Sequence, residues 1–360
     1  MNDPLPQPNI AWETAAFPLI SVVILNYNGL DWLPRCFASI EQQTLFSQIE
    51  VIVVDNASTD GSAKYSEAWV QKIPRGRFIP NQSNLFFCGG NNVGAAAATG
   101  EFLLFLNFDL WLEPDCLEKF YAEIIKAGAD CGAPFVMNYD DNSFQGCGAS
   151  GLDLFGLPTQ MAEPDQTREI FVAYGCSLLI RRELFQRIGA FPEEFLMYDE
   201  ETDVCWRVWI AGGKVVTVYP ARLHHRGAAL ANPAGKTKMA EARTNETKRY
   251  LANRNGILLL LKHSQHLFLL LLIPRLGLLL TEALVGLLIV RRWGFIKKSY
   301  LDAIGDAFRM LPEVRAWRRR IRGFRQRGDF GMLRFLRLTP SRWTEVKRIF
   351  KFGFPKIDTK

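Results

Sequence analysis

Leu103-Leu104-Phe105-Leu106-Asn107-Phe108-Asp109 is an apolar run that stops abruptly at an amide and a carboxylate. It holds neither Pro nor Gly, and Gly100 and Pro114 flank it. Such a run suits a strand buried on both faces, as in a parallel sheet. In open α/β sheets, ligands bind beyond the carboxyl ends of the strands. A carboxylate there is costly unless it is solvated, paired or bound to a cation. Asp109 is therefore expected to face a divalent metal and a phosphate-bearing ligand. Asn107 lies on the same side of the extended chain. An isolated Asp is more often a helix cap or a solvated loop residue, so the expectation depends on what else reaches this edge.

Two earlier runs have the same form. Ile20–Leu25 ends in Asn26-Tyr27-Asn28-Gly29, and Ile49–Val54 ends in Asp55-Asn56-Ala57-Ser58-Thr59-Asp60-Gly61-Ser62. Both tails are turn sequences. Helices are expected at 32–43 and 63–71, a small-residue helix at 93–98, and a helix at 115–127 opened by Pro114. Strands alternating with helices imply a parallel, doubly wound sheet. Parallel strands point the same way, so Asn26, Asp55 and Asp109 converge on one edge. The loop Asn84–Asn92 carries Gly89-Gly90-Asn91-Asn92, where backbone can approach a phosphate at a helix start. It is neither GxGxxG nor a Walker loop. From 131 to 180 the pattern is irregular, with glycines between short strands.

Tyr198-Asp199-Glu200-Glu201-Thr202-Asp203-Val204-Cys205-Trp206-Arg207 enters another helix. The helix dipole favours one or two carboxylates at its start. Four in five residues repel one another and raise at least one pKa, which suits a general base. Asp203 and Arg207 are spaced to pair. His224-His225 follows a strand at 214–218, and a histidine there is a candidate metal ligand.

The net charge of +6 hides a division. Residues 291–360 hold 20 Lys/Arg against 6 Asp/Glu, while residues 1–290 hold 23 against 31. The segment 256–290 is strongly apolar but interrupted by Lys262, His263, His266, Arg275 and Glu282. No uninterrupted run reaches the roughly 18–20 residues of a spanning helix, so helices lying in a membrane interface are expected. Beyond 291, aromatics are interspersed with Arg and Lys, as in basic amphipathic helices at an anionic membrane surface rather than on nucleic acid. The seven cysteines are scattered without a CxxC pair, which points to reduced thiols. No signal peptide is expected in the polar, Pro-rich start.

Taken in order, Val23–Gly29, Val53–Ser62, Asn84-Leu85-Phe86 with Gly89–Asn92, Leu106–Asp109 and Glu200–Arg207 resemble the motifs of family 2 glycosyltransferases. The likeness is nearest to the rhamnosyltransferase-like branch and covers about 18–228. Asn253-Arg254-Asn255 and Leu311-Pro312 also resemble that branch. The resemblance implies a GT-A fold, Rossmann-like with a mostly parallel sheet. It implies transfer of a hexosyl or rhamnosyl unit from a nucleotide-diphosphate donor, with inversion, to a lipid-linked glycan acceptor in cell-surface polysaccharide synthesis. Glu201 would be the catalytic base, with Glu200 and Asp203 beside it. Asp55 would hold the base of the nucleotide, within a donor-binding set of Asn26, Asn28, Asp55, Asn84, Gly90, Asn91 and Asn107. Asp109 and His224 would hold Mg²⁺ or Mn²⁺. Asn-Phe-Asp stands where the branch commonly has Asn-Pro-Asp, and Glu-Glu where Glu-Asp is usual. The expected organisation is a tail at 1–17, the GT-A domain at 18–228, a mobile acceptor-side loop and linker at 229–255, and a membrane-associating helical region at 256–360 on the cytoplasmic face. A non-catalytic nucleotide-sugar sensor is the alternative.

Overall fold

The computed structural model describes residues 18–227, 243–342 and 356–357. Four strands form the parallel sheet expected from the sequence: β1 (Ile20–Asn26), β2 (Ile49–Asp55), β3 (Gly76–Pro80) and β4 (Phe102–Asn107), in the order β3-β2-β1-β4. Helices α1 (Leu33–Glu41), α2 (Ser62–Val70) and α3 (Phe86–Ala97) lie between them. After β4 come β5 (Leu110–Leu112) and α4 (Cys116–Lys126). The α4 helix begins at Cys116, two residues past Pro114, with Asp115 before its first turn.

The irregular stretch resolves into β6 (Cys131–Asn138) and the short strands β7 (Phe144–Gly146), β8 (Gly148–Leu152), β9 (Pro158–Gln160), β10 (Arg168–Glu169) and β11 (Val172–Ala173). Then follow β12 (Ser177–Arg181), α5 (Arg182–Ile188), α6 (Glu200–Ile210) and β13 (Val215–His225). The sheet is mixed: β12 runs antiparallel to β4 and to β6, and β13 runs parallel to β6. Both faces of β1, β2 and β4 are buried. That is why these strands are apolar runs and not alternating ones.

The small-residue helix starts earlier than its sequence suggests. Gly89 and Gly90 lie inside α3, not in a loop before it. A Cβ on Gly90 would come within 2.3 Å of Leu25 Cδ1, and one on Gly94 within 2.4 Å of Val23 Cγ1. The glycines let α3 press against β1, an advantage that outweighs their poor helix propensity.

The C-terminal part is helical: α7 (Glu246–His263), α8 (Leu272–Val290), α9 (Trp293–Ile296), a π-helical turn (Lys297–Asp302), α10 (Ala303–Arg309), α11 (Leu311–Phe324) and α12 (Asp329–Met332). α7 takes up part of the stretch read as loop and linker. Residues 229–242 of that stretch lie outside the described residues, as does the tail at 1–17. With the 3₁₀ turn before it, α8 makes one helix, Phe268–Val290, of 23 residues and mean hydropathy 2.0. By length and composition alone it is long enough to cross a bilayer, which corrects the expectation of no such run. Arg275 and Glu282 interrupt its composition without breaking the helix. Arg275 lies buried over Gly256 of α7, and Glu282 pairs with Arg342 at 2.9 Å. All seven cysteines are buried and free, as expected for reduced thiols.

Gly94→Val should lower stability by ~1–3 kcal/mol through overpacking against Val23. Gly305→Ala, in open space within α10, should gain up to ~1 kcal/mol. Urea unfolding midpoints of the two variants check both signs.

Candidate active site

Register brings the strand ends together. Asn26 is opposite Asp55 and Leu25 is opposite Asn107, so the carboxyl ends of β1, β2 and β4 form one edge. Asn26 is fully buried, and its amide donates to Asp55 Oδ1 (2.6 Å), Ser62 Oγ (2.8 Å) and Ser58 Oγ (3.1 Å). Asp55 Oδ2 accepts the Ser58 N–H at 2.9 Å. Asn28 has a left-handed φ of 51° and accepts the Thr59 N–H at 2.8 Å. It thus stitches the loop after β1 to the loop after β2, as an Asn in the left-handed region can. Among the described residues Asn26 Oδ1 has no partner. A buried acceptor left open at a strand edge costs stability and leaves a hydrogen bond available to a ligand.

Asn84 belongs to a different network. Its side chain accepts from Asn56 Nδ2 (3.1 Å) and from the Phe86 N–H (2.8 Å), fixing the start of α3. Asn56 also accepts from Asn81 at 2.9 Å. Gly90 and Asn91 are placed otherwise than the sequence reading had them. Gly90 sits mid-helix against Leu25, and Asn91 is buried with its amide on Phe87 O of its own helix (3.0 Å). Neither lies at a helix start that could cradle a phosphate, because α3 begins at Phe86.

Asp109 is 5% exposed, and the imidazole beside it belongs to His225, with Nε2 at 3.3 Å from Oδ1. This corrects the choice of His224. Successive side chains of a strand point to opposite faces, and β13 turns His225 toward the edge. His224 faces away, stacked on Trp111 with ring centroids 3.7 Å apart and 3.5 Å from Glu113 Oε1. Burial lowers the His224 pKa. Burial also pulls His225 down, but the Cys176 sulfur and the Asp109 carboxylate beside it prevail and push it up to about 10. Gln145 Oε1 lies 2.8 Å from His225 Nδ1 and Asn107 Nδ2 lies 3.4 Å from its Nε2. His225 and Gln145 were missed by sequence reasoning. The His-His pair signalled that one imidazole would face the edge, but not which.

Among the described residues no group of three or more His, Cys, Asp or Glu gathers as a closed metal cage. Asp109 and His225 present one carboxylate and one imidazole. Once the cation takes the place of the second imidazole proton on His225, that donor set fits a divalent cation whose remaining positions are filled by diphosphate oxygens and water.

The four acids near the start of α6 have different surroundings. Asp203 is fully buried and already paired. Arg207 Nε donates to Oδ1 at 2.7 Å, while Lys262 Nζ and His263 Nε2 lie 2.8 and 3.3 Å from Oδ2. Burial raises its pKa, but Arg207 and Lys262 outweigh this and hold the carboxyl well below the usual 3.8. Asp203 therefore belongs to a structural ion cluster and not to the catalytic set in which the sequence reading placed it. Glu200 is 7% exposed with one oxygen unpartnered, and burial with the charge of Glu201 raises its pKa strongly. Glu201 is half-buried, and burial followed by the Asp199 charge lifts it to about 7. Its carboxyl carbon lies over Gly175, where a Cβ would come within 3.3 Å. Next to Gly175, Cys176 O accepts the Asn107 N–H at 3.0 Å. The loop before β12 thus links Glu201 to the β4 edge. Of the two glutamates, Glu201 is the more accessible.

Residues 21–189 match the model of the family described as Glycosyl transferase family 2. This segment therefore carries the sequence signature of that family. Glycosyltransferase GlyG of Streptococcus pneumoniae serotype 4 is 30% identical to the chain over 124 residues, 34% of this chain and 41% of GlyG. The chain spans well under two thirds of the length of such curated relatives. In fold, it is similar to S. aureus TarS 1–349 in complex with UDP-GlcNAc, with a TM-score of 0.54 at 15% identity over 93% of this chain and 92% of that one. A structure of GalNAc-T7 with UDP, GalNAc and Mn²⁺ gives a TM-score of 0.50 at 20% identity over 58% of this chain and 43% of that one. The GT-A assignment of the transferase domain is thereby established.

Asp203→Ala should cost the protein ~3–5 kcal/mol, because it strands Lys262 and Arg207 as buried charges. The folded pKa of Asp203 lies below 3.8. Its contribution is thus complete above about pH 4 and fades as pH falls below that. Urea unfolding between pH 3 and 7 should show the gap between wild type and variant closing at the acid end.

Proposed function

We propose that the protein is an inverting, metal-dependent glycosyltransferase that moves a sugar from a nucleotide-diphosphate donor to a hydroxyl of a lipid-linked glycan. It would act in cell-surface polysaccharide synthesis at the cytoplasmic face of a membrane, docked through its apolar and basic C-terminal helices. The observation that carries the reading is the placement of Asp55 and Asn107 at the ends of β2 and β4, with Asp109 two residues beyond Asn107, and of Glu201, raised to about 7, over Gly175 beside that edge. The match to a family 2 domain supports sugar transfer, and a structure of similar fold bound to UDP and Mn²⁺ supports the donor and the metal. The rhamnosyl or hexosyl nature of the sugar follows the resemblance noted in the sequence.

In this mechanism Asp55 and Asn26 receive the nucleoside at the ends of β2 and β1. Asp109 and His225 would hold Mg²⁺ or Mn²⁺, which when bound supplies Lewis-acid stabilisation of the leaving diphosphate. Glu201 accepts the proton of the acceptor hydroxyl as its oxygen attacks the anomeric carbon. The bond from that carbon to the diphosphate oxygen breaks, its electron pair leaves with the diphosphate, and a single displacement inverts the centre. A carboxylate with pKa near 7 is well matched to this work, since proton transfer is most efficient when the base's pKa is near the working pH.

The base must be ionised, so kcat/KM should fall as pH drops through about 7. Glu201→Gln should lower kcat by about 10²–10⁴-fold and remove that acid limb, with donor affinity retained. Asp109→Ala should abolish turnover. The assay is nucleoside diphosphate release across a panel of nucleotide-sugars with and without Mn²⁺. A protein that bound donor but released no diphosphate under any metal would instead be a sensor.

A further inference from the structure

Away from the transferase edge, Lys262, Gln265, His266, Arg318, Arg322 and Arg325 line a cavity of about 170 Å³, with no Asp or Glu in its wall. Part of this charge has an internal use. Lys262 pairs with Asp203 (2.8 Å) and Glu194 (3.3 Å). Arg318 Nη1 donates to Leu261 O and Ser264 O, both at 2.7 Å, and Arg325 Nη2 donates to His263 O at 2.6 Å. These bonds satisfy carbonyls at the C-terminus of α7 that the helix itself leaves open. Asp329 lies beside Arg325, but it is buried and its oxygens accept the N–H groups of Gln265, His266 and Phe268. C-capping therefore occupies one terminal nitrogen of each guanidinium, and Arg325 Nη1 also donates to Arg327 O at 3.2 Å. Each guanidinium carries five N–H donors, so most of their capacity is left over. Arg322 is exposed and has neither carboxylate nor carbonyl partner among the described residues.

A second observation comes from the next residues of the chain. Directly after His266, which lines the cavity, Leu267 is 36%, Leu270 59% and Ile273 73% exposed. This apolar face continues along α8 through Leu280, Leu284 and Leu288, all exposed. The opposite face of α8 is covered by protein, through Arg275, Leu279 and Ala283. A basic cavity beside an apolar helix face that no described residue covers fits an amphiphile with an anionic head. An acidic peptide or a nucleic acid would satisfy the arginines but leave the leucines in water.

We infer that the Arg318–Arg322–Arg325 cavity takes the phosphate of an anionic phospholipid headgroup, with the acyl chains lying along Leu267, Leu270 and Ile273. On this inference α8 lies in the plane of the interface with one face in lipid, as monotopic helices do. The inference rests on the membrane docking proposed above and adds the headgroup site.

The test is flotation of the full chain with vesicles of phosphatidylcholine alone or mixed with phosphatidylglycerol. The variants are Arg322→Glu and, as a control on the same helix outside the cavity, Arg315→Glu. Wild type should prefer the anionic vesicles. A change of two charges at the membrane surface costs up to roughly thirtyfold in either variant, and Arg322→Glu should lose clearly more than Arg315→Glu because it also removes the headgroup contact. Donor hydrolysis should be unchanged in both variants. Glycerol phosphate should compete with the anionic vesicles for wild type and not for Arg322→Glu. Equal losses in the two variants would overturn the headgroup site while leaving membrane docking in place. Failure of wild type to float with either vesicle would overturn the docking reading itself. Stronger protection from thermal unfolding by inorganic diphosphate alone than by anionic vesicles would identify a soluble anion as the occupant and overturn the lipid assignment.

Discussion

The carboxylate of Asp203 is fully buried, and Arg207 and Lys262 neutralise it from two different helices. A lone charge there would be prohibitive; paired on both oxygens, it is tolerated. The consequence is geometric. Lys262 and His263 come from α7, so the C-terminal helices are bound to the transferase domain through the same helix that begins with Glu200 and Glu201. Arg207 reaches further, donating to Ile188 O and Ala190 O at 2.6 and 2.7 Å. Farther along α7, Asn255 donates to the carbonyls of Phe195, Met197 and Tyr198, and Arg254 to that of Glu194. The loop they hold contains Leu196, Tyr198 and Asp199 at positive φ, a conformation that side-chain-bearing residues adopt only when their surroundings enforce it.

Within that frame, neighbouring acids differ by what faces them. Asp203 meets cations and stays ionised. Glu200 meets burial and another carboxylate, and its pKa rises. Glu201 turns toward the strand edge and lands near neutrality. The helix dipole favours all of them alike, so it cannot be what separates them. The separation comes from Arg207 on the same helix and Lys262 on α7, which deliver their positive charges to one acid and not to the others. A structural charge and a titratable one can therefore sit two residues apart on one helix.

The same division by surroundings holds at the sheet edge. Asp109, in the turn between β4 and β5, lies in reach of His225, because antiparallel pairing places β5 beside the end of β13, with His225 opposite Leu110. Asn26 and Asp55 meet because β1 and β2 are parallel and in register. Close approach of α3, through glycines with no Cβ to clash, covers this part of the sheet. The pair Gly89-Gly90 was misread as a phosphate loop because glycine permits two things, an unusual backbone and a close contact, and local sequence does not say which.

The sequence by itself determined the doubly buried parallel strands, since an unbroken apolar run has few other homes, and the convergence of Asn26, Asp55 and Asp109, since parallel strands end on one side. It also determined the acidic start of α6 and the apolar, basic character of the C-terminal helices. Tertiary structure alone decided which of two adjacent histidines meets Asp109, which of the acids is neutralised, and which face of α8 is left open. Those outcomes depend on strand pairing and helix docking between residues far apart in the chain. A His-His pair, an acidic run or an apolar helix carries no local mark of the partner that will face it.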